Sequence, residues 1–393
     1  MYARVVDLQR FAVRGPLARR KSYDKHKIFI KLTHGVTFLR GKLSKKKFRS
    51  AGKLGLPARV LDTMSYEEML DTRLCDLPVS IMSSPLKKRL AQLYKELAAR
   101  GLRFEPHAWL SREWFTPDDV PGFAIPFYLA HPRLSRLERK QMLEVEGGTE
   151  KECLQIMRHE AGHAIDNAFS LHTRPRYRRL FGSFAHRYPD WYKPEPNSHN
   201  HVLHLPAWYA QAHPAEDFAE TFAVWLTSGT RWRRRYAGWP ALKKLEYVDR
   251  IMKAIAGKTP VNRSRKRLEE LPEIVMTLRE HYRMKRRHYA FHWPPDYDRS
   301  LMRIFSSEAR YRQRPSAVSF LQRHRRELCQ EVAEGAGVHS YAIHQMFIPM
   351  MNRCRQLKLR LQLTEANTRR KMLILLTVQT MNGIHSGYHR IAL

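Results

Sequence analysis

Apolar residues recur along this chain at two spacings, and each spacing marks out a kind of element. Leu86, Leu90, Leu93 and Leu97 lie about one helical turn apart, with Ser84 and Pro85 ahead as start signals and Gly101 behind as a stop. A second helical stripe joins Leu154, Met157, Ala161 and Ile165, and Thr149 and Glu152 have the capping-box spacing that starts a helix at about Glu150. Phe218, Phe222 and Trp225 make a third stripe behind Pro214. Residues 102–110 and 122–130 instead gather Phe, Tyr, Ile and Trp between Gly, Pro and Asp, which predicts two strands.

Beyond position 260 the spacing is helical over about 269–287, 317–333, 341–357 and 365–381, with breaks at Trp293-Pro-Pro and Gly335-Ala-Gly. The first 60 residues carry no such pattern. They are crowded with cations, as in Arg19-Arg-Lys and Lys45-Lys-Lys-Phe-Arg, so a poorly ordered basic arm is expected, with a short strand candidate at Ile28-Phe-Ile-Lys-Leu. Three domains are therefore expected: an arm over 1–75, a core over 76–260 and a helical region over 261–393.

With 393 residues and a hydrophobic fraction of 43%, the chain can bury a substantial core. Its net charge of +34 implies anionic surroundings, whether nucleic acid, an acidic protein or a membrane surface. No helix-turn-helix, ribonucleoprotein or zinc-finger pattern narrows that choice. The four cysteines, Cys75, Cys153, Cys329 and Cys354, form no C-x-x-C pair, so free thiols in a reducing compartment are expected. No apolar run approaches the ~18 residues of a membrane span, the N-terminus lacks a secretory apolar region, and Asp7 argues against a transit peptide. A cytoplasmic protein is expected.

The chemistry concentrates on the second predicted helix, which contains His159-Glu160-Ala161-Gly162-His163. His159 and His163, one turn apart, fall nearly opposite the apolar stripe, where two neutral imidazoles can converge on a tetrahedral Zn²⁺. Glu160 sits between them as a general base, and the pattern still needs a third ligand. The third helix carries Glu216 and Glu220 at i, i+4 on its otherwise apolar surface, with Ala219 and Ala223 leaving room for a close helix partner. Such an acidic pair asks for a cation nearby.

Taken together, His159-Glu-Ala-Gly-His-Ala-Ile-Asp and Tyr209-Ala-Gln-Ala-His-Pro-Ala-Glu-Asp-Phe-Ala-Glu-Thr-Phe resemble gluzincin metallopeptidases of the anthrax lethal factor type. They look closer still to the bacterial family of zinc-binding metallopeptidases. The resemblance spans about residues 100–255, where Phe127-Tyr-Leu-Ala-His-Pro-Arg-Leu is also similar. It implies an α+β fold with a zincin-like core, a small mixed sheet with an active-site helix and a ligand helix, followed by a mainly helical C-terminal region. It also implies Glu216 as third zinc ligand, Glu220 supporting a zinc-binding histidine and Tyr209 stabilising the oxyanion. Asp166 is a further candidate for orienting a liganding imidazole. The strand over 122–130 would be the edge that pairs with an extended substrate, and Pro126 suits an edge. A metzincin would need Gly at 166 and His at 169, where this chain has Asp166 and Phe169.

Other readings compete. His199, His201, His204 and His213, in the long connection between the two metal-bearing helices, could form a second metal site or supply the third ligand. Arg231-Trp-Arg-Arg-Arg-Tyr could stack on nucleic acid, or be a basic turn with its tryptophan packed inward. A nucleic-acid-associated protein with a structural or vestigial zinc is the alternative to a zinc peptidase acting on peptides or proteins. In that alternative the basic arm makes the contacts, while the C-terminal helices could dock a partner in either case.

Overall fold

Each strong local signal in the chain becomes an element. In the computed structural model, helix α1 (Leu86–Ala99) buries Leu86, Leu90, Leu93 and Leu97. Ser84 does not cap it by side chain; the hydroxyl turns back to the Ile81 carbonyl at 2.9 Å. The structure describes residues 60–189, 191–229, 231–289, 297–385 and 391–392. The expected basic arm over its first 59 positions, the strand candidate at Ile28 and the break at Trp293 lie outside them.

Strands β1 (His107–Ser111) and β2 (Gly122–Pro126) pair in parallel, with His107 opposite Gly122 and Ser111 opposite Pro126. The first strand thus begins five residues later than its composition suggests, and after Pro126 the chain tightens into a 3-10 turn, Phe127–Ala130. The expectation that β2 is an edge for substrate is corrected here. β1 occupies one side, and on the other the Ala124 amide donates to the Phe115 carbonyl at 2.8 Å in an antiparallel bridge. All five residues of β2 are buried as a result. Its neighbour Phe115 leads directly into Thr116, which reaches the H-E-x-x-H helix.

Helix α2 (Pro132–Met142) follows, then α3 (Glu150–Phe169), whose capping box closes: the Thr149 hydroxyl accepts the Glu152 amide at 3.2 Å, and the Glu152 carboxylate accepts the Thr149 amide at 3.1 Å. After α4 (Pro175–Phe181) and a long irregular stretch comes α5 (Pro214–Leu226), which crosses α3. Gly162 makes that crossing close. A Cβ built there would lie 2.8 Å from the Ala219 Cα, so the helices meet backbone to backbone as Ala219 and Ala223 suggest. Helices α6 (Ala241–Ile255) and α7 (Leu278–His288) complete this part of the chain, with α6 packed on α5.

Three longer helices follow, α8 (Ala317–Ala336), α9 (Ser340–Gln356) and α10 (Glu365–His385), close to the bounds the apolar spacing predicts. Short strand pairs accompany them: β4 (Phe305–Ser306) with β5 (Arg360–Leu361), and β3 (Trp191–Tyr192) with β6 (Ile391–Ala392). The fold is mixed α/β and mostly helical, around one small parallel sheet. Among the described residues no helix is long and apolar enough to cross a membrane.

Core residues lie on both sides of positions 75 and 260. Leu61, Met69, Leu70 and Leu74 on one side, and Leu271, Leu278 and Tyr282 on the other, are buried in the same apolar cluster as α1, α3 and α5. Backbone pairing explains this, since Leu74 and Cys75 donate to the carbonyls of Met276 and Ile274, and Leu278 donates to Thr72. A second cluster runs from Tyr297 to Leu376 through α8, α9 and α10, and Leu143 joins it from the α2–α3 connection. All of the described residues belong to one unit, Gly41–Leu393.

Candidate metal centre

The close crossing of α3 and α5 brings their polar residues to one point. Pro214 opens α5, and the His213 ring accepts the Ala215 amide at 3.1 Å, which fixes the first turn and with it Glu216. Nε2 of His159 and Nε2 of His163 are 3.1 Å apart, and each lies 3.0 Å from Oε2 of Glu216. Three buried donor atoms therefore form a nearly equilateral triangle, a group able to hold a metal ion. Tetrahedral zinc with bonds of about 2.0–2.1 Å separates its ligands by about 3.3 Å, so this triangle needs to widen by only a few tenths of an ångström. Two ring nitrogens and a carboxylate oxygen facing one another fit a cation and little else.

Further bonds hold the triangle. Nδ1 of His159 lies 2.8 Å from Oε1 of Glu220, whose Oε2 accepts the Leu205 amide at 2.8 Å. With Nδ1 turned to the fully buried Glu220, Nε2 is the ring atom left to face the triangle. The second oxygen of Glu216 accepts the Tyr188 hydroxyl at 2.8 Å. Glu160 is buried beside the triangle, and the Thr116 hydroxyl donates to its Oε2 at 2.7 Å. The Tyr209 ring stands 5.5 Å from that of His159, and its hydroxyl makes no hydrogen bond among the described residues.

Electrostatics point the same way. Burial alone would lower the His159 pKa, but the bonds and charges of Glu216 and Glu220 reverse this and push it up to about 10. The pocket thus favours a positive charge between its carboxylates. Burial, with Glu216 next in effect, raises Tyr188 and Tyr209 well above the ordinary phenol range, so both keep their protons as donors.

Other expected residues go elsewhere. The Asp166 carboxylate accepts the backbone amide of His172 at 2.8 Å and lies 2.9 Å from that ring, with the Tyr177 hydroxyl 3.4 Å away. Near the end of α3 it fastens the chain that leaves the helix. The loop histidines do not gather. His199 stacks on Trp239, His204 meets the Gln155 carbonyl, and His213 meets that of His186 while capping α5. The one metal-capable group among the described residues is His159, His163 and Glu216. Trp232 and Tyr236 pack inward at 5% and 1% exposure, so the arginine-rich turn offers cations without a stacking platform. A cavity of about 670 Å³ beside β1, lined by Leu77, Ile81, Leu90 and Tyr94 among others, contains none of the metal-facing residues.

Thr116, Tyr188 and the Leu205 amide are additions that no spacing announces. Thr116 and Tyr188 meet their carboxylates across 44 and 28 residues of chain, contacts created only by folding. The single advance sign is the length of the connection that carries Tyr188 and Leu205.

No curated protein and no solved structure matches the chain significantly. Residues 135–230, the segment that carries both α3 and α5 and with them all three metal-facing donors, match the model of a family described as "Putative zinc-binding metallo-peptidase".

Proposed function

We propose that this chain is a zinc-dependent peptidase of the gluzincin type, with a zincin-like core related to that of lethal factor. The observation that carries the reading is the convergence of His159, His163 and Glu216 at 3.0–3.1 Å beside Glu160. These three residues would hold the ion, which supplies Lewis-acid polarisation of the scissile carbonyl and a water acidified to near neutrality.

The chain's own residues do the rest. Glu160 accepts the proton of the attacking water and returns it to the departing amine, with Thr116 holding one of its oxygens. Tyr209, protonated and with its hydroxyl unused by the described residues, donates to the carbonyl oxygen as that atom gains negative charge. Glu220 orients His159, and Tyr188 restrains Glu216. The substrates would be peptides or proteins. An anionic partner held by the basic arm rests on the net charge of +34 alone.

Elemental mass spectrometry of the purified chain tests this. One zinc per chain is expected in wild type, none after Glu216→Ala, and a weakened content after Glu220→Ala, since supporting residues of this kind typically change affinity by about 10–100-fold. A wild-type chain that cannot be loaded with zinc defeats the reading.

A further inference from the structure

The turn that carries Tyr209 is built against local preference. Ala207 and Trp208 both lie in the left-handed region, at φ of 60° and 54°, where side-chain-bearing residues are uncommon. Such a conformation persists only when its surroundings impose it. One of the residues that impose it lies nearby in the chain, and another comes from the end of α8.

The Tyr192 hydroxyl donates to the Ala207 carbonyl at 2.8 Å, and the Tyr192 ring stands edge-on to Tyr209 with centroids 6.5 Å apart. Tyr192 belongs to β3, and β3 is paired with β6, so that Tyr192 lies opposite Ile391. From another direction Gly337, the left-handed residue that ends α8, approaches the same turn. A Cβ built on it would lie 3.4 Å from the Ala207 Cα.

The α8–α9 turn also reaches the opposite wall. Nε2 of His339 lies 3.0 Å from one oxygen of Glu144, and the Ser340 amide donates to the other at 3.0 Å. Leu143, next to Glu144, is buried in the C-terminal apolar cluster. Residues 143–149 run straight into the start of α3. One short turn, residues 337–340, thus touches both the approach to the H-E-x-x-H helix and the turn before Tyr209.

From this we infer that the C-terminal helical region is a brace that positions Tyr209 over the metal-facing residues. Gly337 is its direct point of contact, and Tyr192 is tied to the end of the chain through the β3–β6 pair. The inference rests on the reading of Tyr209 as the oxyanion donor. It gives the last hundred residues a part in the chemistry without placing any of them at the reacting atoms, and it makes Tyr192 and Gly337 positioning residues.

The test uses the zinc-loaded full-length chain with acetohydroxamate, a zinc-directed probe whose oxygen stands in for the oxyanion, read by calorimetry. Amide hydrogen exchange over 205–211 is measured in parallel on the metal-free chain. Tyr209→Phe is expected to weaken the probe about tenfold, the upper end of what one net hydrogen bond contributes to binding. Tyr192→Phe should weaken it several-fold, raise exchange over 205–211 at least tenfold, and add nothing further in a Tyr209→Phe background, the mark of residues acting through one another. Gly337→Asn keeps a residue tolerant of the left-handed region, adds side-chain bulk beyond a Cβ already at contact distance from Ala207, and should follow the same pattern with smaller size. Zinc content should stay at one per chain in all of these variants.

Effects that add fully to those of Tyr209→Phe, or unchanged affinity and exchange in both variants, overturn the brace. A Tyr209→Phe chain that binds the probe as the parent does removes Tyr209 from the chemistry and this role with it. Failure of the parent to take up zinc overturns the peptidase reading instead, and the exchange measurement on metal-free chain still decides whether Tyr192 and Gly337 hold the turn.

Discussion

The two sides of the metal centre are made in different ways. On one side His159, His163 and Glu216 project from the regular helices α3 and α5, both capped and pressed together at Gly162. On the other, residues 171–213 contribute Tyr188, the Leu205 amide and Tyr209 from irregular chain, with two successive left-handed residues just before Tyr209. Metal donors must be fixed to within a few tenths of an ångström, and i, i+4 spacing on a packed helix does this without backbone strain. On the proposed reading a donor to the reacting oxygen is needed as well, and Tyr209 comes from neither helix. That side therefore depends on contacts from distant chain.

The largest expected effect lies on the helical side. Glu160→Gln leaves the three donor atoms and the helix crossing untouched, so zinc content should hold at one per chain. Turnover of a quenched fluorescent peptide pool should fall by about 10³-fold, within the usual range for loss of a positioned general base. A variant that keeps its zinc and more than a tenth of its turnover would break the contrast, because the proton would then be carried from the irregular side.

The same contrast governs what could be read before folding. The H-E-x-x-H helix, its capping box, the Pro214 start and the Glu216 and Glu220 pair are local signals, each written within one or two turns, and the structure keeps their geometry. The C-terminal helices were equally legible, from Met, Leu and Ile at helical spacing. Thr116 and Tyr188 were not, since a lone hydroxyl in a loop becomes a hydrogen-bond donor to a particular carboxylate only through tertiary contact. The contacts of Asp166 were hidden for a related reason. Three residues after His163, it points toward the helix end, where His172 claims it. The flanks of β2 depend on Phe115 returning beside Ala124, and the extent of the core on 61–74 pairing with 274–278, neither of which has a period.

A second way to sharpen the comparison is to disturb the crossing itself. In an exposed helix Gly→Ala stabilises by about 1 kcal/mol. At Gly162 the added Cβ would stand 2.8 Å from the Ala219 Cα and 3.0 Å from its carbonyl oxygen, so α5 has to move as a body. Gly162→Ala should therefore destabilise by about 1–3 kcal/mol, a fall in melting temperature of roughly 1–4 °C for a chain of this size. Zinc should weaken with it, since Glu216 moves with α5. An unchanged melting temperature would mean that the helices separate easily and that the triangle is held from the irregular side after all.

The smallest expected effect falls on Tyr188, where the two sides meet. Its hydroxyl donates to Glu216 at 2.8 Å, while its ring stacks on His213 at 3.7 Å between centroids. Tyr188→Phe removes the bond and keeps the stack. A hydrogen bond to a charged group contributes about 1.5–3 kcal/mol, part of which water recovers at a loosened site, so zinc affinity should fall about tenfold. The melting temperature of the metal-free chain should stay within about 2 °C, because the apolar contact survives. Zinc titration against a competing chelator, with thermal unfolding of the metal-free variant, separates the two parts. Full zinc affinity with a lowered melting temperature would make Tyr188 a packing residue and leave Glu216 to its helix alone; the tenfold loss with a steady melting temperature would show the irregular side reaching across to tune a ligand that the helical side has already placed.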